Sequence, residues 1–306
     1  MPAFQNNILE KIEDGLIPYL SSIAFCLEDS IQDSAVEQAE DALRNTFHKL
    51  AERNILKNRI PFIFVRVRSP EQMLKLHREF GDTRERLTGY ILPKFDLNNA
   101  EAYLDILHRV NRESDRIIYI MPILESKMVA DRSSRLPALI KLRQMLETVR
   151  PYVLNIRVGA NDFCNLYGLR RSVHQTIYDI GVVRDILMDI LNLFAQDYVV
   201  SGPVWNYFGK GGESWADGLR RELEFDRQNG FIGKTAIHPS QLPLIARSLS
   251  VKREDYEDAC ALLEWGNDPF GVKKSVNGER MNEVKCHKRW AERTKLLGEI
   301  YGIQNT

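Results

Sequence analysis

Seven short apolar segments punctuate the chain, and each ends on a polar or small residue before a helical stretch begins. They are "SSIAFCLED" (21–29), "PFIFVRVR" (61–68), "LTGYILPKF" (87–95), "RIIYIMPILES" (116–126), "YVLNIRVGAND" (152–162), "DYVVSGPV" (197–204) and "GKTAIHP" (233–239). Their ends fall at Asp29, Arg66, Lys94, Glu125, Asp162, Gly202 and His238. The spacing is roughly 35 residues, near the ~31 per βα unit of a 250-residue (β/α)8 barrel. Near-continuous apolar strands alternating with helices predict a parallel sheet covered on both faces.

The intervening stretches carry the helical period. "SAVEQAEDALRNTFHKLAERN" has apolar residues at helical spacing, with Ser34 as a candidate cap. "RSVHQTIYDIGVVRDILMDILNLFAQD" predicts two helices, or one broken near Gly181, with His174, Arg170, Arg171 and Tyr178 at its start. Seven strands leave a (β/α)8 TIM barrel one short. "MPAF" before the helix "NNILEKIEDGL" reads as the tail of a truncated first strand. The barrel domain is expected over 1–250. Residues 251–306 read as a C-terminal helical extension, packing on the barrel or on a neighbouring subunit, with helices in "VKREDYEDACALLEWGN" and "MNEVKCHKRWAERTKLLGEIYG".

Composition narrows the partners. The 42 basic and 42 acidic side chains balance, which argues against nucleic acid or an anionic membrane. No apolar run approaches the ~18 residues of a transmembrane span, and no signal peptide is visible. The four cysteines, Cys26, Cys164, Cys260 and Cys286, form no CxxC pair and read as reduced thiols in a cytoplasmic protein.

In a barrel the C-terminal ends of the strands converge on one mouth. That gathers Glu28, Asp29, Arg66, Arg68, Lys94, Glu125 and Asp162. Any one carboxylate there can simply cap the next helix; several on one mouth suggest a site. Glu125 and Asp162, on consecutive strands, suit magnesium, which prefers oxygen ligands. Such an ion acts as a Lewis acid on a carbonyl. Arg66 offers a planar fork for a substrate carboxylate. Glu28 and Asp29 either position substrate or water or hold Arg66 in a salt bridge. Lys94 either pairs with them or contacts an anionic substrate. His238, fixed by the following proline, reads as a structural hydrogen-bonder. Cys164 has no histidine partner in sequence and is not expected to be a nucleophile. "GKGGES" lacks P-loop spacing and reads as a mobile lid within 207–215.

These segments carry a resemblance. "CLEDSIQDSAVEQAEDAL", "FVRVRSP", "ILPK", "PILES", "VGANDF", "SGPVWNYF" and "GFIGKTAIHPSQL" resemble, in order, the motifs of the HpcH/HpaI aldolase and citrate lyase beta-subunit family. The pattern looks most like a carbon–carbon lyase branch associated with bacterial tellurite- and stress-resistance clusters. The resemblance implies a magnesium-dependent barrel that makes or breaks carbon–carbon bonds beside a carbonyl. It implies Glu125 and Asp162 as metal ligands and Arg66 as the residue that binds a carboxylate or enolate. Backbone N–H groups of Gly159, Ala160 and Asn161 are implied to receive a substrate carboxylate. The implied substrate is an oxo-acid or an acyl thioester, so coenzyme A enters as a candidate partner. Homo-oligomers, often trimers, follow from the same resemblance. Four departures stand out: Lys127 replaces a small residue, Asn161 replaces an acidic one, Gln5 stands where the family has arginine, and the loop 207–215 is longer than usual. Two alternatives stand beside the lyase, the first favoured by Lys127 and Gln5. One is a barrel that has lost lyase activity and binds a metabolite or protein. The other is an enzyme for a nucleoside-like or phosphorylated substrate, using Arg170, Arg171 and the 207–215 loop.

Overall fold

A computed structural model describes residues 1–4, 7–53, 60–209, 212, 214–265 and 271–304. The described chain divides into two compact units, Met1–Leu242 and Pro243–Thr306.

The first unit opens with α1 (Ile8–Glu13) and β1 (Ser22–Cys26) and continues through α2 (Val36–Glu52), β2 (Phe62–Arg66), α3 (Pro70–Glu79), β3 (Leu87–Leu92), α4 (Ala100–Arg112) and β4 (Tyr119–Leu124). Then come α5 (Lys127–Ala130), α6 (Arg132–Glu147), β5 (Ile156–Val158), α7 (Ala160–Leu166), α8 (Gly181–Phe194), β6 (Val200–Ser201) and α9 (Ser214–Asn229). Strands β1 to β6 form one parallel sheet whose spatial order is the chain order. Single parallel bridges extend it at both ends, Pro2 to Cys26 and Lys234 to Gly202. "MPAF" and "GKTAIHP" therefore supply bridge positions, and the other six apolar segments supply the strands.

Alternation along the strands separates two apolar cores. Phe25, Leu27, Val65, Tyr90, Leu92, Ile120, Leu124, Ile156 and Val158 face the helices and join the large core. Phe64, Ile91, Met121 and Ile123, with Ala24, form a small cluster on the opposite face, inside the barrel curve. Helix α2 buries Ala39, Leu43, Thr46, Phe47 and Leu50 at helical spacing against the outer face. The Phe47 ring stacks on Phe80 with centroids 4.2 Å apart.

Two local expectations need correction. Ser34 does not cap α2: it lies in a 3-10 turn, Asp33–Ala35, and Ala35 holds the cap position. The segment from Arg170 to Thr176 is not helical. Thr176 forms a capping box with Asp179, and only after it does a regular helix begin at Gly181.

The second unit holds most of α10 (Leu242–Leu249), then β7 (Val251–Lys252), α11 (Arg253–Glu264), β8 (Val272–Lys274), β9 (Met281–Glu283), α12 (Val284–Tyr301) and β10 (Ile303–Gln304). The two expected helices are α11 and α12. The β8–β9 hairpin and the β7–β10 pair carried no sequence signal. Ala259, Leu262 and Ala291 form this unit's core. A Cβ at Gly298 would strike the Tyr256 ring, so glycine permits the close packing of α12 on α11. No helix among the described residues is long and apolar enough to cross a membrane.

One histidine makes the first unit acid-sensitive. His77 on α3 is fully buried, with Nε2 3.0 Å from the Ser114 hydroxyl and Nδ1 without a partner among the described residues. Burial first, and then the Arg84 charge, push its pKa down to about 4. The unfolded chain, titrating near 6.5, therefore takes up this proton before the folded one does. The penalty is absent above about pH 7 and grows as pH falls toward 4. Urea melts should lose about 2 kcal/mol of stability from this group between pH 7 and pH 5. His77→Gln should flatten that part of the profile.

Candidate functional site

The inward-facing rows of the strands run on past the last apolar residue into charged ones. On β1 the row Ala24, Cys26 continues to Glu28. On β2 Phe64 leads to Arg66, and on β4 Met121 and Ile123 lead to Glu125. Alternation thus carries these side chains to one end of the barrel interior.

Arg66 is the hub. Its guanidinium pairs with Glu28, lies 2.7 Å from Asp29 and 3.6 Å from Glu125. Lys94 stands beside it with its ammonium on Glu28 and 3.1 Å from Asp29. Its backbone adopts φ +48°, a left-handed conformation uncommon for a residue with a side chain. That twist aims the Lys94 N–H at Glu125 Oε1, 2.9 Å away. The charges of Glu28 and Asp29 hold the Lys94 ammonium above the usual lysine range, although burial pulls the other way.

Glu125 is only 4% exposed. Burial chiefly, with the charges of Asp162 and Glu28, lifts its pKa to about 7 against the opposing pull of Arg66 and the Lys94 N–H. Its other oxygen lies against Gly159, where any Cβ would collide with the Glu125 side chain. Asp162 sits in the first turn of α7. It lines, with Glu125, Ser126, Lys94 and Lys127, an open cleft of about 460 Å³. The cleft therefore brings together the two carboxylates expected to act as a pair, and Lys127 shares it.

The small residues at 159–160 serve packing. The Gly159 N–H donates to the Leu124 carbonyl (3.2 Å) and the Asp162 N–H to the Gly159 carbonyl (3.0 Å). Gly159 is therefore corrected as a donor to substrate, since the sheet uses its N–H. The N–H groups of Ala160 and Asn161 have no acceptor among the described residues. The Ala160 side chain is buried and Asn161 is exposed.

The donor set fits a hard divalent cation. Both carboxylates are oxygen ligands, and the four acids at the mouth outnumber Arg66 and Lys94. Burial chiefly, with the charges of Asp162 and Glu28, raises the Glu125 carboxyl, a cost that a bound cation would offset. The Ser126 hydroxyl beside Glu125 is buried with no partner among the described residues. No group of three or more His, Cys, Asp or Glu among them is placed to hold a metal. Two carboxylates with water or substrate completing the shell is the usual arrangement for magnesium.

Other sequence candidates are structural. Lys234, of "GFIGKTAIHPSQL", has a side chain with no exposed surface, 2.9 Å from both Glu222 and Asp226 and donating to the Pro203 carbonyl. Arg171 pairs with Glu222 and lies over the Trp205 ring at 4.8 Å. This corrects its candidacy for a substrate phosphate, because its charge is already neutralised inside the protein. The Tyr178 hydroxyl donates to Asp226 (2.7 Å). Gln241 ties the carbonyls of Trp205 and Tyr207, each at 3.0 Å. His238 accepts from the Ser240 N–H and stacks on Phe208. Tyr207 and Phe208 are thus anchored, while Lys210, Gly211 and Glu213 of the expected lid lie outside the described residues, as does Gln5. Arg68 braces the loop after β1 through Leu27, Ile31 and Asp33. The Cys164 thiol is pushed up by burial, unlike an activated nucleophile.

One interior residue was missed. Arg157 on β5 pairs in register with Ile123, two residues before Glu125, and so points inward below the carboxylate. The alternation Ile156, Val158 in "NIRVGANDF" carried that signal.

Lys234→Ala should leave Glu222 and Asp226 buried with one cation fewer. Breaking a buried pair of this kind costs about 3–5 kcal/mol. Chemical denaturation should show that loss, whereas Arg68→Ala, at a half-exposed brace, should cost less.

The chain matches, over residues 1–303, the family model described as C-C bond lyase of the TIM-barrel fold. A search of curated proteins finds no match. Among solved structures, a citrate lyase from Burkholderia xenovorans LB400 is similar at TM-score 0.73 and 15% identity, covering 100% of this chain and 92% of that one. The CitE protein of Mycobacterium tuberculosis, in complex with magnesium, acetoacetate and coenzyme A, is similar at TM-score 0.62 and 16% identity, covering 98% and 96%. RipC from Yersinia pestis is similar at TM-score 0.54 and 18% identity, covering 81% and 91%. At these identities the likeness is one of fold. The family match over nearly the whole length goes further: the chain belongs to the C–C bond lyase family of the TIM-barrel fold.

Proposed function

We propose that the protein is a magnesium-dependent carbon–carbon lyase of the aldol or Claisen type, acting on a small oxo-acid or an acyl thioester. The observation that carries this is that Glu125 and Asp162 line one cleft and that the Asp162 charge acts on the Glu125 carboxyl. Both carboxylates would hold the ion. When bound, it supplies Lewis acidity toward a carbonyl oxygen.

The chain's own residues do the rest. Arg66, held by Glu28 and Asp29, presents a fixed guanidinium whose buried Nε has no partner among the described residues. Cleavage leaves an electron pair on the carbon beside the carbonyl, and Arg66 stabilises that negative charge without having to reorganise. Lys94 fixes Glu125 through its backbone and meets an anionic substrate with its half-exposed ammonium. The N–H groups of Ala160 and Asn161 offer donors to a substrate carboxylate. The magnesium, acetoacetate and coenzyme A of the Mycobacterium tuberculosis complex support the metal, the small acid and the thioester option alike. The four free cysteines support a cytoplasmic setting. Exposed Leu136 and Ile140 on α6 support a homo-oligomer.

The second reading, a barrel that binds a metabolite or protein without turnover, is favoured by Lys127. That residue brings a cation into the cleft where magnesium would sit. Lys127→Ala separates the two: a tenfold or larger gain in magnesium affinity, with turnover appearing only in the variant, would support the second reading.

Two variants test the first. Asp162→Ala should abolish turnover and the magnesium-induced rise in melting temperature; unchanged magnesium affinity overturns the assignment. Gly159→Ala should displace Glu125 and weaken magnesium binding by tenfold or more, read by calorimetry, while circular dichroism stays unchanged.

A further inference from the structure

Buried and half-buried cations in the first unit are almost all matched by carboxylates. Arg66 has Glu28, Asp29 and Glu125; Arg135 has Asp189; Arg171 has Glu222; Lys234 has Glu222 and Asp226. Arg84, Arg86 and Arg157 have no ion pair among the described residues, and of these Arg157 is the one inside the barrel curve. It is half-buried inside the barrel curve, and no ion pair joins it to any described residue. Its one side-chain bond goes from Nη2 to the Thr235 hydroxyl. Burial, and then the nearby charge of Arg66, lower its pKa to about 10, against the opposing pull of the Glu125 charge. Glu125 acts on it without an ion pair, and a largely desolvated cation with no direct counter-charge is costly.

The position suggests what supplies the counter-charge. Arg157 pairs in register with Ile123 on one side and Ser201 on the other. It therefore lies one inward layer below Glu125 and Gly159. At the mouth, Arg66 and Lys94 serve the reacting end of the substrate and are shared with Glu28 and Asp29. Arg157 retains a guanidinium fork matched to two carboxylate oxygens, with the Thr235 hydroxyl adjacent as a further polar partner.

We infer that Arg157, with Thr235, is the specificity-determining subsite that receives a free carboxylate at the inserted end of the substrate. The ligand class is then an oxo-acid, or an acyl group ending in a carboxylate, entering acid end first. A neutral acyl chain would leave Arg157 unpaired. This rests on the lyase reading for the ligand's being a substrate, but carboxylate capture at Arg157 does not itself need magnesium.

The test titrates malonate, a stable dicarboxylate, into the full-length protein by calorimetry, once with EDTA and once with magnesium. Wild type should bind in both. Arg157→Met should bind at least tenfold more weakly in both, with a ligand-free melting temperature no lower than wild type. Thr235→Val should weaken binding a few-fold. Wild type that ignores malonate overturns the inference, as does Arg157→Met that binds it normally. If Arg157→Met does not fold, Arg157→Lys, which keeps the charge and loses the fork, carries the test with Thr235→Val: weaker binding in both supports the subsite, and wild-type affinity in both overturns it. Failure of the lyase reading looks different: magnesium stabilises nothing in wild type, while Arg157-dependent malonate binding persists.

Discussion

Glu125 sits where β3, β4 and β5 deliver their ends to one another, and its carboxylate is almost wholly removed from water. One oxygen takes the N–H that the left-handed Lys94 turns toward it. The other fills the space that a side chain at residue 159 would occupy. Such a group in isolation would be expelled or protonated. It stays because Arg66 reaches it from β2, and Arg66 stays because Glu28 and Asp29 hold it from β1. Five consecutive strand ends are thus fixed by mutual dependence, and Asp162 meets that assembly from the first turn of α7.

The sequence motifs divide into two groups that looked alike on paper. Those after the first five strands hold the cleft. The last one, "GFIGKTAIHPSQL", holds the far side of the barrel together. Lys234 ties the carboxylates of α9 to the backbone after β6, and Gln241 ties two carbonyls of the chain beyond it. A distinctive motif is as readily a record of buried charge that must be matched as of chemistry on a substrate.

Much of the barrel was legible because a strand's period of two and a helix's period near 3.6 are both written in apolar residues. Glu28, Arg66 and Glu125 could be placed on one mouth because parity counts forward from Ala24, Phe64 and Ile123. The same parity pointed Arg157 inward, but an arginine in an apolar strand reads as an interruption unless its neighbours across the sheet are known. The Lys94 backbone was not legible, since its φ follows from a contact with Glu125, 31 residues away. Nor was the turn from Arg170 to Thr176: its polar residues fit a helical period locally, and the pull of Glu222 on Arg171 decides otherwise. Short pairs such as β8–β9 have too few residues to show a period.

The sheet's spatial order follows the order of synthesis, so each strand can pair with one already made. The exception is charge. Glu222 and Asp226 of α9 have to be buried close together, and the ammonium that neutralises them belongs to Lys234, several residues later. A nascent chain that ends between Asp226 and Lys234 has, among the described residues, Arg171 to pair with Glu222 and no ion-pair partner for Asp226. The far side of the barrel therefore lacks the ammonium shared by these two acids until residue 234 joins it.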